Sequence, residues 1–215
     1  MGQVLAEISM SLDGYVAGPN PSLDDPLGAG GERLHEWVVA TEAWRERHGM
    51  AGGETGPENE IIADAIDRAG ATVMGRRMFS GGEGPWEADP KADGWWGEEP
   101  PFHHPVFVLT HHAREPLPKQ GGTTFTFVTE GIESALDQAR EAAGDKDVSI
   151  GGGAEAIQQS LKASLVDELQ IHLVPVLLGG GVRLFDGLGP GNVELETTRV
   201  MESPAVTHLR FRVRS

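Results

Sequence analysis

The sequence predicts an α/β protein with a mainly parallel sheet and an antiparallel edge. Short apolar runs alternate with segments of helical apolar spacing through most of the chain, and glycines separate several of these pairs. Two long strand-like segments, 193–201 and 206–213, close the chain as a hairpin joined near Glu202-Ser203-Pro204. No repeat and no linker interrupts this order, so residues 1–215 read as one domain.

In chain order, residues 4–12 alternate loosely and stop at Asp13-Gly14, giving a first strand. Residues 19–31 are rich in Gly, Pro and Asp and read as loop. Leu34, Trp37, Val38, Thr41 and Trp44 recur at helical spacing, predicting one helix over 32–47. After a glycine-rich linker at 49–56, Thr55-Gly56-Pro57-Glu58 reads as a capping box with proline in the first turn. Ile61, Ile62, Ala65, Ile66 and Ala69 form that helix's apolar face, and Gly70 ends it. A buried strand at 71–74 runs into a short helix at Gly75-Arg76-Arg77-Met78-Phe79. Residues 81–104 show no period; their tryptophans and Phe102 mark an ordered functional loop rather than disorder. Strands follow at 105–110 and 123–128, a helix around Ile132, Ala135, Leu136, Ala139 and Ala143, a strand at 147–150, a helix at 154–163 and a strand at 168–174. In that last strand Leu169, Ile171 and Leu173 alternate with the polar Gln170 and His172.

Composition narrows the function. With 39% hydrophobic residues the chain is globular, and no run is long and apolar enough for a membrane span. No leader-like segment opens it, so the expected location is the cytoplasm. Cysteine is absent, which excludes disulfides, thiolate zinc sites and a cysteine nucleophile; no metal site is expected. The formal charge of −16 argues against nucleic acid, whose phosphates need a basic footprint. It leaves room for an anionic small molecule met by local arginines and backbone dipoles.

Gly151-Gly152-Gly153 between an apolar strand and an amphipathic helix is the most informative motif. It has two readings: a diphosphate site on an open helix N-terminus, or a tight strand–helix turn. With Ala154-Glu155-Ala156 it also fits G-x-G-x-x-G/A, but only about 60 residues follow it and no further crossover helix is visible, which speaks against a Rossmann domain.

Four segments taken together resemble the dihydrofolate reductase-like fold, in the branch containing the riboflavin-biosynthesis reductase domain. They are Ser11-Leu12-Asp13-Gly14-Tyr15-Val16-Ala17-Gly18-Pro19, Thr72-Val73-Met74-Gly75-Arg76-Arg77-Met78-Phe79, Val106-Phe107-Val108-Leu109-Thr110-His111, and Ile150-Gly151-Gly152-Gly153 continued by 165–185. The resemblance covers the chain except 19–60 and 81–104. It implies a central sheet of about eight strands with helices on both faces, NADPH bound across the strand ends, and a homodimer. The zinc deaminase signature of the bifunctional relatives needs cysteine and is excluded here.

Carried over, the resemblance implies a cofactor site of Ser9, Val16, Ala17, Gly75, Arg76, Arg77, Met78, Thr110, His111, Gly151, Gly152, Gly153, Ala154 and Glu155. Arg76 would supply charge to the phosphates, and the backbone of Arg77 and Met78 would donate N–H groups. Met78 stands where many relatives have a hydroxyl. Thr110 and His111, with His112 and Arg114 beside them, would favour the 2′-phosphate of NADPH, and a cis Gly-Gly bond is expected at the glycine corner. The candidate proton donors are Asp13, His35 and Glu32; Trp37 and Trp86 are the candidate substrate contacts. These point to an NADPH-dependent reductase acting on a C=N or C=O bond of a small planar or sugar-like compound. A nucleotide-binding protein without turnover, or a reductase using a flavin-type cofactor, are the alternatives.

Overall fold

The structure, a computed structural model, describes residues 2–189 and 193–214. A nine-stranded sheet runs through it in the order β10-β11-β8-β1-β7-β3-β4-β6-β5. Its six central strands are parallel: β8 (Glu168–Val174), β1 (Val4–Ser11), β7 (Asp147–Gly152), β3 (Ala69–Gly75), β4 (Val106–Leu109) and β6 (Thr124–Val128). The hairpin of β10 (Glu194–Glu202) and β11 (Thr207–Arg214) adds antiparallel to β8, as the sequence predicts. At the other edge β5 (Leu117–Pro118), too short to show a period, adds antiparallel to β6. A small ribbon pairs β2 (Tyr15–Ala17) with β9 (Val182–Arg183).

Side-chain alternation gives the sheet two faces. On one, Val4, Ala6, Val73, Ile150 and Leu169 pack against α5 (Ile132–Ala143) and α6 (Ala154–Lys162) in the largest apolar cluster. The opposite face is covered in two pieces. At the β4/β6 end, Met74, Val108, Phe125 and Phe127 meet Phe79 of α4 (Arg76–Ser80) and the 81–104 segment. At the β1/β8/β11 end, Leu34 and Trp37 pack on Val174 and Val206, through α1 (Glu36–Ala40), α2 (Glu42–Arg47) and α3 (Pro57–Arg68).

Three local expectations are corrected. The helix predicted over 32–47 is three pieces: a 3-10 turn at Gly31–Leu34, α1 and α2. Thr41 breaks it. Its backbone is extended, its hydroxyl donates to the Val38 carbonyl at 2.7 Å, and the same oxygen accepts the Trp44 N–H to cap α2. The capping box at Thr55 does not form, because Gly56 is the N-cap and Pro57 opens α3. Gly70 lies inside β3 rather than ending α3, where it lets the strand pass the Ala143 carbonyl.

Candidate functional site

The β1–β7 ladder ends at Ala6↔Ile150, whereas β1 stays paired with β8 as far as Ser11↔Val174. Beyond Ala6 the two neighbours make no further rungs, so their C-terminal ends are not paired with each other. The connection leaving β1 crosses one face of the sheet through α1–α3, and the one leaving β7 crosses the other through α6. Adjacent parallel strands whose connections diverge to opposite faces form the usual ligand crevice of an open α/β sheet.

Glycines shape its β7 side. The Gly152–Gly153 peptide is cis, as expected. A side chain on Gly153 would meet nothing within 4 Å, so this corner faces open space. Gly75, at the end of β3, approaches the same corner: a Cβ there would lie 3.8 Å from the Gly153 nitrogen. Met78 packs beneath it, with Sδ 3.5 Å from a Cβ built on Gly152. The helices that start here, α4 and α6, have glycine N-caps with no side-chain cap, so their first N–H groups are free to meet an anion. Arg77 bridges the two starts, pairing with Glu83 and lying 3.7 Å from Glu155; both Arg77 and Glu155 are exposed. The structure therefore gathers Gly75, Arg77, Met78, Gly151, Gly152, Gly153, Ala154 and Glu155 at one corner. The side chain of Ala154 itself points into the core.

Arg76 requires a correction. Its side chain is buried, donates to Ser80 Oγ at 3.0 Å, is ion-paired with Asp89, and stacks 3.1 Å over the Trp86 ring. Its charge is paired inside the 81–104 segment, while its Nη1 is buried without a partner. Trp86 is corrected with it. The indole donates to the His112 carbonyl at 2.8 Å and packs edge-on against Phe127, so it anchors the loop and is not free to close on a substrate. Arg114, beside His111 and His112, pairs with Asp93 at 2.6 Å. Thr110 is buried and caps its own turn by accepting the His112 N–H at 3.1 Å; His111 is exposed beside it.

Asp13 is also corrected. It accepts the Ser11 hydroxyl at 2.6 Å and the backbone N–H groups of Gly179 and Leu178 at 2.8 and 3.1 Å. The Ser11 hydroxyl first, then those N–H groups, hold its pKa down to about 2. Near neutral pH it is an ionised clamp with no proton to give. The clamp also accounts for Gly179, and Gly181 lets β9 pass against the Ala17 carbonyl, so Gly179-Gly180-Gly181 is a packing device. Val16 belongs to the core. Glu32 is exposed on the 3-10 turn.

His35 is partly buried, and its Nδ1 is shut from solvent without a partner. Burial, and secondarily the neighbouring His172, lower its pKa from 6.5, so it is neutral near pH 7. Trp37 is buried, donates to Ser9 Oγ at 3.1 Å, and packs on the rings of His172 and His208 at 4.5 and 5.0 Å. His172 Nε2 lies 2.7 Å from Glu7, and its Nδ1 lies 2.6 Å from His208 Nδ1. This polar cluster under α1 is absent from the sequence reading. Its signal was present: Glu7 and Ser9 share one face of β1, and Gln170 and His172 share one face of β8. Trp37 and Trp86, both expected at the substrate, lie in separate clusters.

The nine-stranded sheet, its divergent β1/β7 crevice and its glycine corner define a dihydrofolate reductase-like α/β protein. The RibD C-terminal domain model matches residues 3–209, and the chain belongs to that family. Among solved structures, a protein of Shewanella sp. PV-4 assigned to riboflavin biosynthesis superposes with a TM-score of 0.64 at 22% identity, over 99% of both chains. Riboflavin biosynthesis reductase Rib7 of Saccharomyces cerevisiae gives 0.54 at 14%, over 100% of this chain and 89% of that one. Dihydrofolate reductase of Enterococcus faecalis, complexed with NADP(H), gives 0.52 at 14%, over 100% and 98%. At these identities the likeness is one of fold. A curated relative, the uncharacterized protein YwjB of Bacillus subtilis, is 35% identical over 63 residues, which span 29% of this chain and 36% of YwjB.

Proposed function

We propose that this chain is an NADPH-dependent reductase that delivers hydride to a C=N or C=O carbon of a small planar or sugar-like substrate, in a reaction related to that of 5-amino-6-(5-phosphoribosylamino)uracil reductase. The observation that carries the reading is the pair of strand ends left unpaired beyond Ala6↔Ile150, where two uncapped helix starts meet at a glycine corner in a RibD C-terminal domain. That donor set suits a diphosphate. It offers backbone N–H groups at a corner where Gly153 faces open space, beside the exposed Arg77 with its partners Glu83 and Glu155, and Ala154 leads the backbone in. Thr110 and His111 remain the candidates for the adenosine phosphate. Ser9, Val16 and Ala17 are the candidates for the nicotinamide side, and Trp37 for the substrate.

NADPH, when bound, supplies the hydride; the chain binds, orients and excludes water. His35 is the remaining candidate for handling the proton, as a neutral imidazole beside Trp37. The test is an NADPH titration followed by thermal midpoint and tryptophan fluorescence. The expected result is saturable quenching and a raised midpoint; no response at about millimolar cofactor ends the proposal, since a ligand at a hundredfold its Kd stabilises by about 2.7 kcal/mol. A second reading, binding without turnover, is favoured by Asp13 being a clamp and Glu32 lying exposed. Binding with no NADPH oxidation across carbonyls, imines and pterins supports it. Bound flavin would show as visible absorbance.

A further inference from the structure

We propose that the facing imidazoles of His172 and His208 form an acid-operated latch for α1, which stays shut with one extra proton on the pair and opens with two. The rings are direct cross-strand partners on β8 and β11. Their Nδ1 atoms lie 2.6 Å apart, a hydrogen bond that needs one N–H and one lone pair. On its other side His172 Nε2 meets Glu7 Oε1 at 2.7 Å, and a carboxylate only accepts. With both rings neutral, these partners assign the single His172 proton to Nε2, and His208 supplies the N–H between the rings. That leaves His208 Nε2 a bare lone pair, and this atom is buried without a partner. One added proton is taken there. The chain from His208 through His172 to Glu7 then keeps every hydrogen bond, now charge-assisted. A second proton puts an N–H on both facing nitrogens. Two donors then confront each other with no acceptor between them, each on a positive ring, and the rings must part.

The pair carries the seat of α1. Trp37, the buried residue of that helix, rests on both rings: His172 lies 4.5 Å away, tilted at 47°, and His208 lies 5.0 Å away, edge-on at 77°. With Leu34 it also covers Val174 and Val206 of the same sheet end. Parting the rings removes the polar half of this seat and frees α1 from β8 and β11. Charged groups on every side set the threshold. Glu7 of β1 and Glu58 of α3 draw protons to His208, whereas Arg199 of β10 and His172 itself oppose them. His35, just ahead of α1, faces His172. Burial first, then His172, hold His208 down to about 4 against its ordinary 6.5. The shut latch therefore binds fewer protons than separated rings, and opening gains as the pH falls from 6.5 toward 4. The latch needs no ligand and stands apart from the reductase reading.

The test labels the intact chain with fluorotryptophan and follows its fluorine resonances from about pH 8 down to about pH 4, across the histidine range. The Trp37 and Trp86 signals are identified by their loss in Trp37→Phe and Trp86→Phe. The Trp37 signal is expected to move between about pH 6.5 and about pH 4, while the Trp86 signal and the far-ultraviolet circular dichroism keep their native values. A side-chain amide both donates and accepts, so it can face a protonated imidazole without conflict. In His208→Gln and in His172→Gln the Trp37 transition is therefore lost, or needs at least about tenfold more protons, about one pH unit. Ring nitrogen chemical shifts of the intact chain at about pH 8 check the proton assignment without any variant: His172 carries its proton on Nε2 and His208 on Nδ1. Trp37 moving only together with Trp86 and the circular dichroism overturns the inference, because the whole molecule then opens at once. An unchanged Trp37 transition in both glutamine variants, or the reverse proton assignment in the intact chain, overturns it as well.

Discussion

Single residues at the strand ends do two different jobs, and substitution separates them. Asp13 is a clamp between the β1 turn and the 178–179 loop. Asp13→Asn is expected to lower the thermal midpoint while kcat falls less than about tenfold, against the 10²–10⁴ expected for loss of a general acid. Because its folded pKa of about 2 lies below the ordinary aspartate value of 3.8, Asp13 stabilises above pH 3.8, and that contribution fades as pH falls toward 2. The midpoint gap between parent and variant closes over that window. Gly153 does the other job. Its φ of −73° suits any residue and a Cβ meets nothing, so Gly153→Ala folds normally, within about 0.5 kcal/mol of the parent. Under the proposed cofactor site the methyl group stands where the diphosphate approaches, and NADPH affinity is expected to drop by about tenfold, or about 1.4 kcal/mol. Unchanged affinity by calorimetry would place the cofactor elsewhere.

At the scale of elements, the 81–104 segment, whose one regular piece is a 3-10 turn at Trp86–Ala88, is anchored by side-chain contacts. Asp89 is 2% exposed at its side chain and receives both Arg76 and Ser80, while Trp86 lies under the Arg76 guanidinium. Removing one partner of a buried ion pair strands the other charge, so Arg76→Ala is expected to destabilise by about 3–5 kcal/mol. Limited proteolysis should then cut within 81–104 well before the rest of the chain opens. Persistent protection there would show that the aromatic packing alone holds the segment. The sequence marked this segment as ordered through its tryptophans, yet could not say that Arg76 belongs to it. Thirteen positions separate Arg76 from Asp89, and no period links them. Likewise Thr41 sits on the apolar stripe of the predicted 32–47 helix. Only its buried hydroxyl bonds and its bridge to Glu54 convert that position into a break.

For the molecule as a whole, acid stability depends on buried imidazoles. His104 and His208 are pressed down to about 4, in both cases first by burial, with Arg47 next for His104 and His172 next for His208. A histidine with a folded pKa below its unfolded 6.5 binds fewer protons when native, so stability is full above about pH 6.5 and falls as pH drops toward 4. Glu58 and Glu7 oppose the shift of His208, and Arg199 adds to it. His104→Gln, which keeps a polar partner for Thr72, should flatten the midpoint-against-pH curve between pH 6.5 and 4. An unaltered slope would assign the acid limb to other groups.

What the sequence by itself determined is the run of strands and helices, the closing hairpin and the glycine corner with its two helix starts. These are local: period, turn residues and apolar runs act within a few positions. The direction of long polar side chains was decided only by tertiary structure. Arg76 turned into the loop, Asp13 became a clamp, and Glu7, His172, His208 and Trp37 closed into one buried cluster beneath α1. Such groups seek partners tens or hundreds of residues away once water is excluded, because an unpaired buried charge or hydrogen-bonding group costs more than any local preference can supply.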